Sequence, residues 1–440
     1  MIIITPDSLD YEKARQEWNR SIQKFPKLIA YCETTQDVSD IIKCSYDNGL
    51  RIRIRSGGHN YEGYSTGNDV VVIDISKMNN ANINYEENTV TVQGGIKNTQ
   101  LYNYISNQGY PFPGGTCPTV GVSGYALGGG WGYSARKFGL GCDSLIEIEM
   151  VNYKGKIIKA NKYFNKDLFW ALRGAGGGNF GVITSMKFKL PHKVNKVTYV
   201  RMTYQNISKK EQVNILDTWQ KWIGSVDKDI NLSGGLYHTN EEGVYAYFRG
   251  ISYKNEEQTR KLLEPFYNIK EADIILEYDK YIDVVNQIAS SYPPYEHFKS
   301  TGRFVNKYYY LNELEKLVDI INQPLPNNSI YTGINVYGLG GEVKSVNKYD
   351  TAFYFRDANY ILLIQSAWED NLYKEENVNW VLNNFKYIYS ITEGSYINFP
   401  LLQLPYYESN YFGENSCRLR KVKCKYDPLD VFSFPQSIRY

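Results

Sequence analysis

The sequence predicts an α+β protein of two domains plus a C-terminal segment, and three observations carry that prediction. At 440 residues the chain is too long for one ordinary hydrophobic core. Up to about residue 195, helix and strand patterns alternate, and glycine clusters recur where elements end. From about Val197 glycine thins, tyrosine thickens, and the strand patterns read as an antiparallel sheet accompanied by helices. The expected units are 1–195, 196–390 and 391–440.

In chain order, Val38, Ile41 and Ile42 stand at helical spacing within 36–48, with Thr35 as the N-cap and Gly49 as the stop. Arg51-Ile-Arg-Ile-Arg55 alternates strictly and reads as a strand that ends in Ser56-Gly-Gly-His-Asn60. Strands at 70–75 and 89–93 and a helix at 98–106 follow. The stretch 113–132 then places eight glycines among twenty residues, with Cys117 between Gly-Gly-Thr and Pro. Glycine at that density loses conformational entropy with no side chain packed in return, so the stretch reads as a loop that brings backbone close to a ligand. Beyond it come a hairpin (144–151 and 156–160), a short helix (167–173), a third glycine-rich loop (174–181) and a strand (182–190). In the second unit, 197–205 and 244–253 read as strands and 211–223 and 255–267 as helices. The stretch 396–440 lacks helical periodicity over much of its length and is expected to pack back on the first unit.

A hydrophobic content of 42%, a charged content of 22% and a net charge of +2 fit a globular protein and give no electrostatic reason to expect nucleic acid. The start, Met1-Ile-Ile-Ile-Thr-Pro6, lacks a basic n-region, and no later run approaches the roughly 18 apolar residues of a membrane span, so the expectation is a cytoplasmic protein without membrane contact. Six cysteines without CxxC spacing argue against a zinc site and against a disulfide scaffold.

Gly176-x-Gly178-x-x-Gly181 matches the dinucleotide fingerprint in form only. A Rossmann loop follows a strand and opens a helix, whereas here a helical pattern precedes and a strand follows, and no Asp or Glu occurs between Val182 and Lys210 to hold a ribose. His59 and Cys117 carry more information. Each is a nucleophilic side chain on a glycine loop, and both can reach one ligand.

Four stretches share a further property: Arg55-Ser-Gly-Gly-His59; Gly115-Thr-Cys-Pro-Thr-Val-Gly121; Gly128-Gly-Gly-Trp-Gly132 with Arg136-Lys-Phe-Gly139; and Asp167-Leu-Phe-Trp-Ala-Leu-Arg-Gly-Ala-Gly-Gly-Gly-Asn-Phe-Gly-Val182. With Tyr396-Ile-Asn398, Tyr411-Phe-Gly-Glu-Asn415 and Gln436-Ser-Ile438 they resemble the FAD-linked oxidases of the berberine bridge enzyme type, in the vanillyl-alcohol oxidase flavoprotein superfamily. The resemblance covers roughly 27–190 and 350–440 and implies a PCMH-type FAD-binding domain beside an α+β substrate domain with an antiparallel sheet. It implies FAD bonded covalently through His59, at the 8α-methyl, and through Cys117, at C6. Ser56, Gly57, Gly58, Asn60, Gly121, Ser123, Gly124, Gly181 and Val182 are implied as backbone contacts of the cofactor, with Asn398 beside it. Ser123-Gly124-Tyr125 departs from the Gly-Gly-His common in the family at that point.

The same resemblance implies chemistry. Tyr396 matches the tyrosine that takes the hydroxyl proton in oligosaccharide-oxidising relatives, and Tyr360, Gln365 or Asp357 are the candidates to assist it. Trp131 matches an active-site aromatic. Val120 matches a position bordering oxygen access, where valine goes with the oxidase state. The expectation is an oxidase of an alcohol or hemiacetal carbon, acting on a sugar or a secondary alcohol, with O2 as acceptor and hydrogen peroxide as product. The alternatives are a biosynthetic oxidase of a secondary metabolite and a redox-silent flavin-binding protein.

Overall fold

Four short strands form the first sheet in the computed structural model, which describes residues 1–270 and 272–440. They are β1 (Ile2–Ile4), β2 (Leu28–Tyr31), β3 (Ile52–Arg55) and β4 (Val71–Asp74), in the order β1-β2-β4-β3. β2 and β3 run parallel to β4, while β1 runs antiparallel to β2. Val71-Val-Ile-Asp74 is buried at every position, as expected of an unbroken β-branched run at the centre of a parallel group. The helix Thr35–Asp47 lays Val38, Ile41 and Ile42 into the same core. Its cap is Thr34 rather than Thr35. The Thr34 hydroxyl accepts from the Asp37 N–H and the Asp37 carboxylate accepts from the Thr34 N–H, which closes a capping box.

A second, wholly antiparallel sheet takes β5 (Ala81–Asn84), β6 (Thr89–Gln93), β7 (Leu145–Val151), β8 (Ile157–Asn161) and β9 (Val182–Lys189) in the order β5-β6-β9-β7-β8. The stretch 113–132, read as a glycine loop, contains a short helix, Val122–Leu127, between Gly121 and Gly128. Val122, Tyr125, Ala126 and Leu127 are buried, so apolar contacts anchor a helix that glycine content alone disfavours.

The third sheet holds β10 (Lys196–Tyr204), β11 (Ile230–Thr239), β12 (Gly243–Ser252), β13 (Asp273–Lys280), β14 (His297–Val305), β15 (Ser329–Gly338), β16 (Tyr360–Trp368) and β17 (Glu393–Ser395). Its order is β13-β10-β12-β11-β15-β16-β14-β17. Every neighbouring pair is antiparallel. The helices Lys209–Ser225, Leu311–Ile321 and Lys374–Ile391 lie against it. Alternation then sorts its side chains. Phe248, Leu236, Ile334 and Ile364 enter the core, and Tyr247, Tyr237 and Gln365 point the other way, toward a large cavity. The helix expected over 255–267 is two, Glu256–Leu262 and Glu264–Tyr267, divided at Leu263 ahead of Pro265.

After β17 the chain crosses back over the first two sheets and forms the helices Tyr407–Phe412 and Ser416–Tyr426, where periodicity gave little sign of them. The second is tied down by Lys423, whose ammonium is buried and donates to Asp427 (2.6 Å), Asn179 O (2.9 Å) and Phe432 O (2.8 Å). No helix among the described residues is long and apolar enough to cross a membrane, and all six cysteines are free thiols.

Candidate active site

β3 ends at Arg55, whose guanidinium is buried between Asp74 (2.5 Å) and Glu17 (3.6 Å). Burial raises the Glu17 carboxyl, with Arg55 opposing it, and Ser65 donates to it. This ion cluster fixes the N-terminal arm against the strand end, and the next residue completes the clamp. The Trp18 N–H donates to Gly58 O at 2.9 Å, and the indole stacks on the His59 ring with centroids 5.1 Å apart. Gly57 meets the second glycine loop backbone to backbone, since a Cβ there would stand 2.3 Å from Gly121 N.

The two loops deliver His59 and Cys117 to one point. His59 Nε2 lies 2.8 Å from Thr119 Oγ1, and Cys117 Sγ lies 3.8 Å from the same oxygen. His59 Nδ1 has no hydrogen-bond partner among the described residues. Burial pushes the imidazole down to about 3, with the Lys97 charge adding, so His59 is neutral. Burial also raises the Cys117 thiol, against hydrogen bonds from Thr119 and Val120.

Both side chains line a cavity of about 670 Å³ that runs from Arg53 and Ser433 at one end to Tyr245 and Tyr247 at the other. Ser56, Gly57, Gly58 and Asn60 line it from the first loop, and Val120, Gly121, Ser123 and Gly124 from the second. Gly181, Trp131, Gln365, Tyr396 and Asn398 also reach it. Val182 does not. Its side chain is fully buried in the core between the first two sheets with Val151 and Phe432, and Ile183 lines the cavity in its place, as alternation along β9 requires.

Two of the three expected assistants of Tyr396 lie elsewhere. Tyr360 points into the helix-covered face of the third sheet and sets its ring edge-on to Trp219 at 5.0 Å. Gln365, five residues along the same strand, necessarily faces the other side. Asp357 is exposed, near Lys344. What surrounds Tyr396 instead is a set of N–H donors. Its phenolic oxygen accepts from Trp131 N (3.0 Å), Gly130 N (3.1 Å) and Asn398 Nδ2 (3.1 Å). Asn398 is held in turn by Tyr125 O at 2.9 Å. Burial pushes the phenol up to about 12, and the three donors pull it back toward ionisation. Trp131 donates to Gly338 O at 2.7 Å and stands edge-on to Tyr337, whose ring also meets Phe399.

Sequence reasoning missed Trp18, Arg249 and Glu296. Glu296 stands on the cavity wall, accepts from Tyr331 at 3.3 Å and is raised by burial to about 7. Arg249 shares one sheet face with Tyr245 and Tyr247, and the alternation at 245–249 is its only signal in the sequence.

Known proteins resemble this chain in sequence and in fold. Residues 26–161 match the family model for an FAD binding domain, and residues 395–439 match the one described as berberine and berberine like. The FAD-linked oxidoreductase YgaK of Bacillus subtilis (strain 168) is 32% identical over 99% of this chain and 96% of its own length. The carbohydrate oxidase of Microdochium nivale is 26% identical over 99% of this chain and 92% of its own length. Among solved structures, wild-type BBE-like 1 of Physcomitrella patens superposes with a TM-score of 0.90 at 27% identity, covering 99% of this chain and 96% of that one.

Proposed function

The chain belongs to the berberine bridge enzyme-like FAD-linked oxidoreductases, and from that premise we propose an oxidase of an alcohol or hemiacetal carbon in a carbohydrate or glycosylated small molecule, with O2 as acceptor and hydrogen peroxide as product. The cavity suits FAD on its own terms. Gly124 and Gly177 border it, and a Cβ would meet no protein atom within 4 Å at Gly124 and none nearer than 3.7 Å at Gly177. Both present bare backbone where a flat cofactor needs close approach.

In this reading Ser56, Gly57, Gly58, Asn60, Gly121, Ser123, Gly124 and Gly181 hold the cofactor. His59 would hold it covalently through Nδ1, since Nε2 is engaged by Thr119, and Cys117 would do so through Sγ. When bound, FAD supplies the hydride acceptor and the route of two electrons to oxygen. Val120, half-buried on the cavity wall, borders oxygen access.

The observation that carries the oxidase reading is the setting of Tyr396. An alcohol loses hydride only as its hydroxyl proton is taken, and three N–H bonds to the phenol oxygen offset part of the burial penalty on the anion that takes it. Gln365 offers an amide, not a carboxylate, so the base of this chain is assisted by backbone and Asn398 donors. Trp131 and Tyr337 wall the space beside it. Because burial holds the phenol at about 12, the substrate-dependent rate climbs with pH across the neutral and mildly alkaline range.

Anaerobic mixing with a panel of sugars and alcohols tests the proposal. Bleaching of the flavin, recovery of colour in air with peroxide formed, and a reduction rate lowered about 10²- to 10⁴-fold in Tyr396→Phe are expected. The oxidase reading fails if no member of the panel bleaches the flavin, and the base assignment fails if Tyr396→Phe is reduced as fast as wild type or keeps its pH profile.

A further inference from the structure

The cavity wall carries a cation with no carboxylate paired to it among the described residues. Arg249 projects from β12 next after Tyr245 and Tyr247 on the cavity face of the third sheet. Its guanidinium stacks on Tyr292 with Cζ 4.9 Å from the ring centre, and Nη1 donates to Ser291 Oγ. The Tyr133 phenol also hydrogen-bonds to it, but among the described residues no carboxylate lies within 4 Å of it. Glu296 is the one acidic side chain on the cavity wall among the described residues. It is engaged by Tyr331 and, raised by burial to about 7, is substantially protonated at neutral pH. The guanidinium itself stays charged at any physiological pH, and a partly desolvated charge without a counter-charge is costly to maintain.

We propose that Arg249 is the specificity-determining residue for an anionic substrate, a saccharide that carries a carboxylate on the ring next to the one oxidised. The two hydroxyl partners, Ser291 and Tyr133, are neutral and use only part of its five N–H donors, and the remaining donors match the two oxygens of a carboxylate. No second cation stands beside it to match a phosphate dianion. Strand register sets the reach. Arg249 pairs with Ser233 on β11, and Ser233 pairs with Tyr337 on β15. Two strand spacings, roughly 10 Å, therefore separate the Arg249 and Tyr337 backbones. Tyr337 adjoins Trp131 and Phe399, and Phe399 adjoins Tyr396, so the acid belongs beyond the reacting ring.

The proposal rests on the oxidase reading for the position of the reacting carbon, and its test separates the two. Calorimetric titration of the holoenzyme compares cellobiouronate and digalacturonate with cellobiose and with the methyl esters of both acids. At least one acid is expected to bind about 10- to 100-fold more tightly than its ester. Arg249→Gln is expected to bring that ratio close to one, with Arg249→Lys between. The ester comparison uses the unaltered protein, so it stands even if a variant fails to fold. Two acids that both bind no better than their esters, or a preference that survives in Arg249→Gln, overturn the proposal. Anaerobic bleaching reports separately: preference without bleaching sinks the oxidase and leaves Arg249 its role, and bleaching without preference does the reverse.

Discussion

His59 and Cys117 show what a single residue discloses at each stage. Their placement on glycine loops marks both as unusual in the sequence, yet only the fold shows that they address one hydroxyl, Thr119 Oγ1, from two loops roughly sixty residues apart. If both attach the cofactor, either alone retains it. Acid-precipitated His59→Ala and Cys117→Ala proteins should each stay yellow, and the double variant should release free FAD into the supernatant. Free FAD from wild type, or a coloured pellet from the double variant, would defeat the bicovalent assignment. Tyr360 and Gln365 teach the opposite lesson. They are an odd number of residues apart on one strand, so a period of two already forbids both from lining one site, and the structure puts Gln365 on the cavity and Tyr360 against Trp219. Tyr396 was legible through its motif, whereas its donors Gly130 N and Trp131 N are backbone groups from 265 residues away or more, which no side-chain pattern announces.

At the scale of elements, the sequence was readable where pattern and burial coincide. β6, β7 and the helix Asn98–Ser106 follow their periodicity, whereas β5 buries only Ile83 and β1 is only three residues long, so neither leaves a pattern to read. The helix Val122–Leu127 is the instructive exception, because its glycine serves the cavity and not the helix. Gly124 lies in a helix interior, where glycine is worse than alanine by roughly 0.5–1 kcal/mol, and the space a side chain would fill there is empty of protein. Function and stability therefore separate at this position. Gly124→Leu should fold and, compared as apoprotein, melt no lower than wild type, while its flavin content, read from the visible to ultraviolet absorbance ratio, falls to a small fraction. Wild-type flavin content in that variant would mean that the helix does not border the cofactor.

Across the whole molecule, both ends of the chain are recruited to the same cavity. The N-terminal arm clamps the His59 loop through Glu17 and Trp18, and the C-terminal segment brings Ser433 and Phe434 to the opposite end. Neither arrangement has a local signature, since each depends on pairings such as Asn19 with Phe298 O or Lys423 with Asn179 O, separated by more than two hundred residues. Lys423 is the point at which the C-terminal brace can be tested. Its ammonium is wholly buried and bridges Asp427 on its own segment to Asn179 O on the loop that leads into β9. Lys423→Met leaves Asp427 buried without its cation, which should remove about 3–5 kcal/mol from stability. Lys425→Met, two residues away, breaks an ion pair with Asp167 that is largely in solvent and should cost less than about 1 kcal/mol. Urea midpoints of the two holoproteins compare them directly, and limited proteolysis should release the C-terminal segment from Lys423→Met first. Equal midpoints would show that the segment is held by its apolar contacts alone, and that the buried cation is not what closes this end of the cavity.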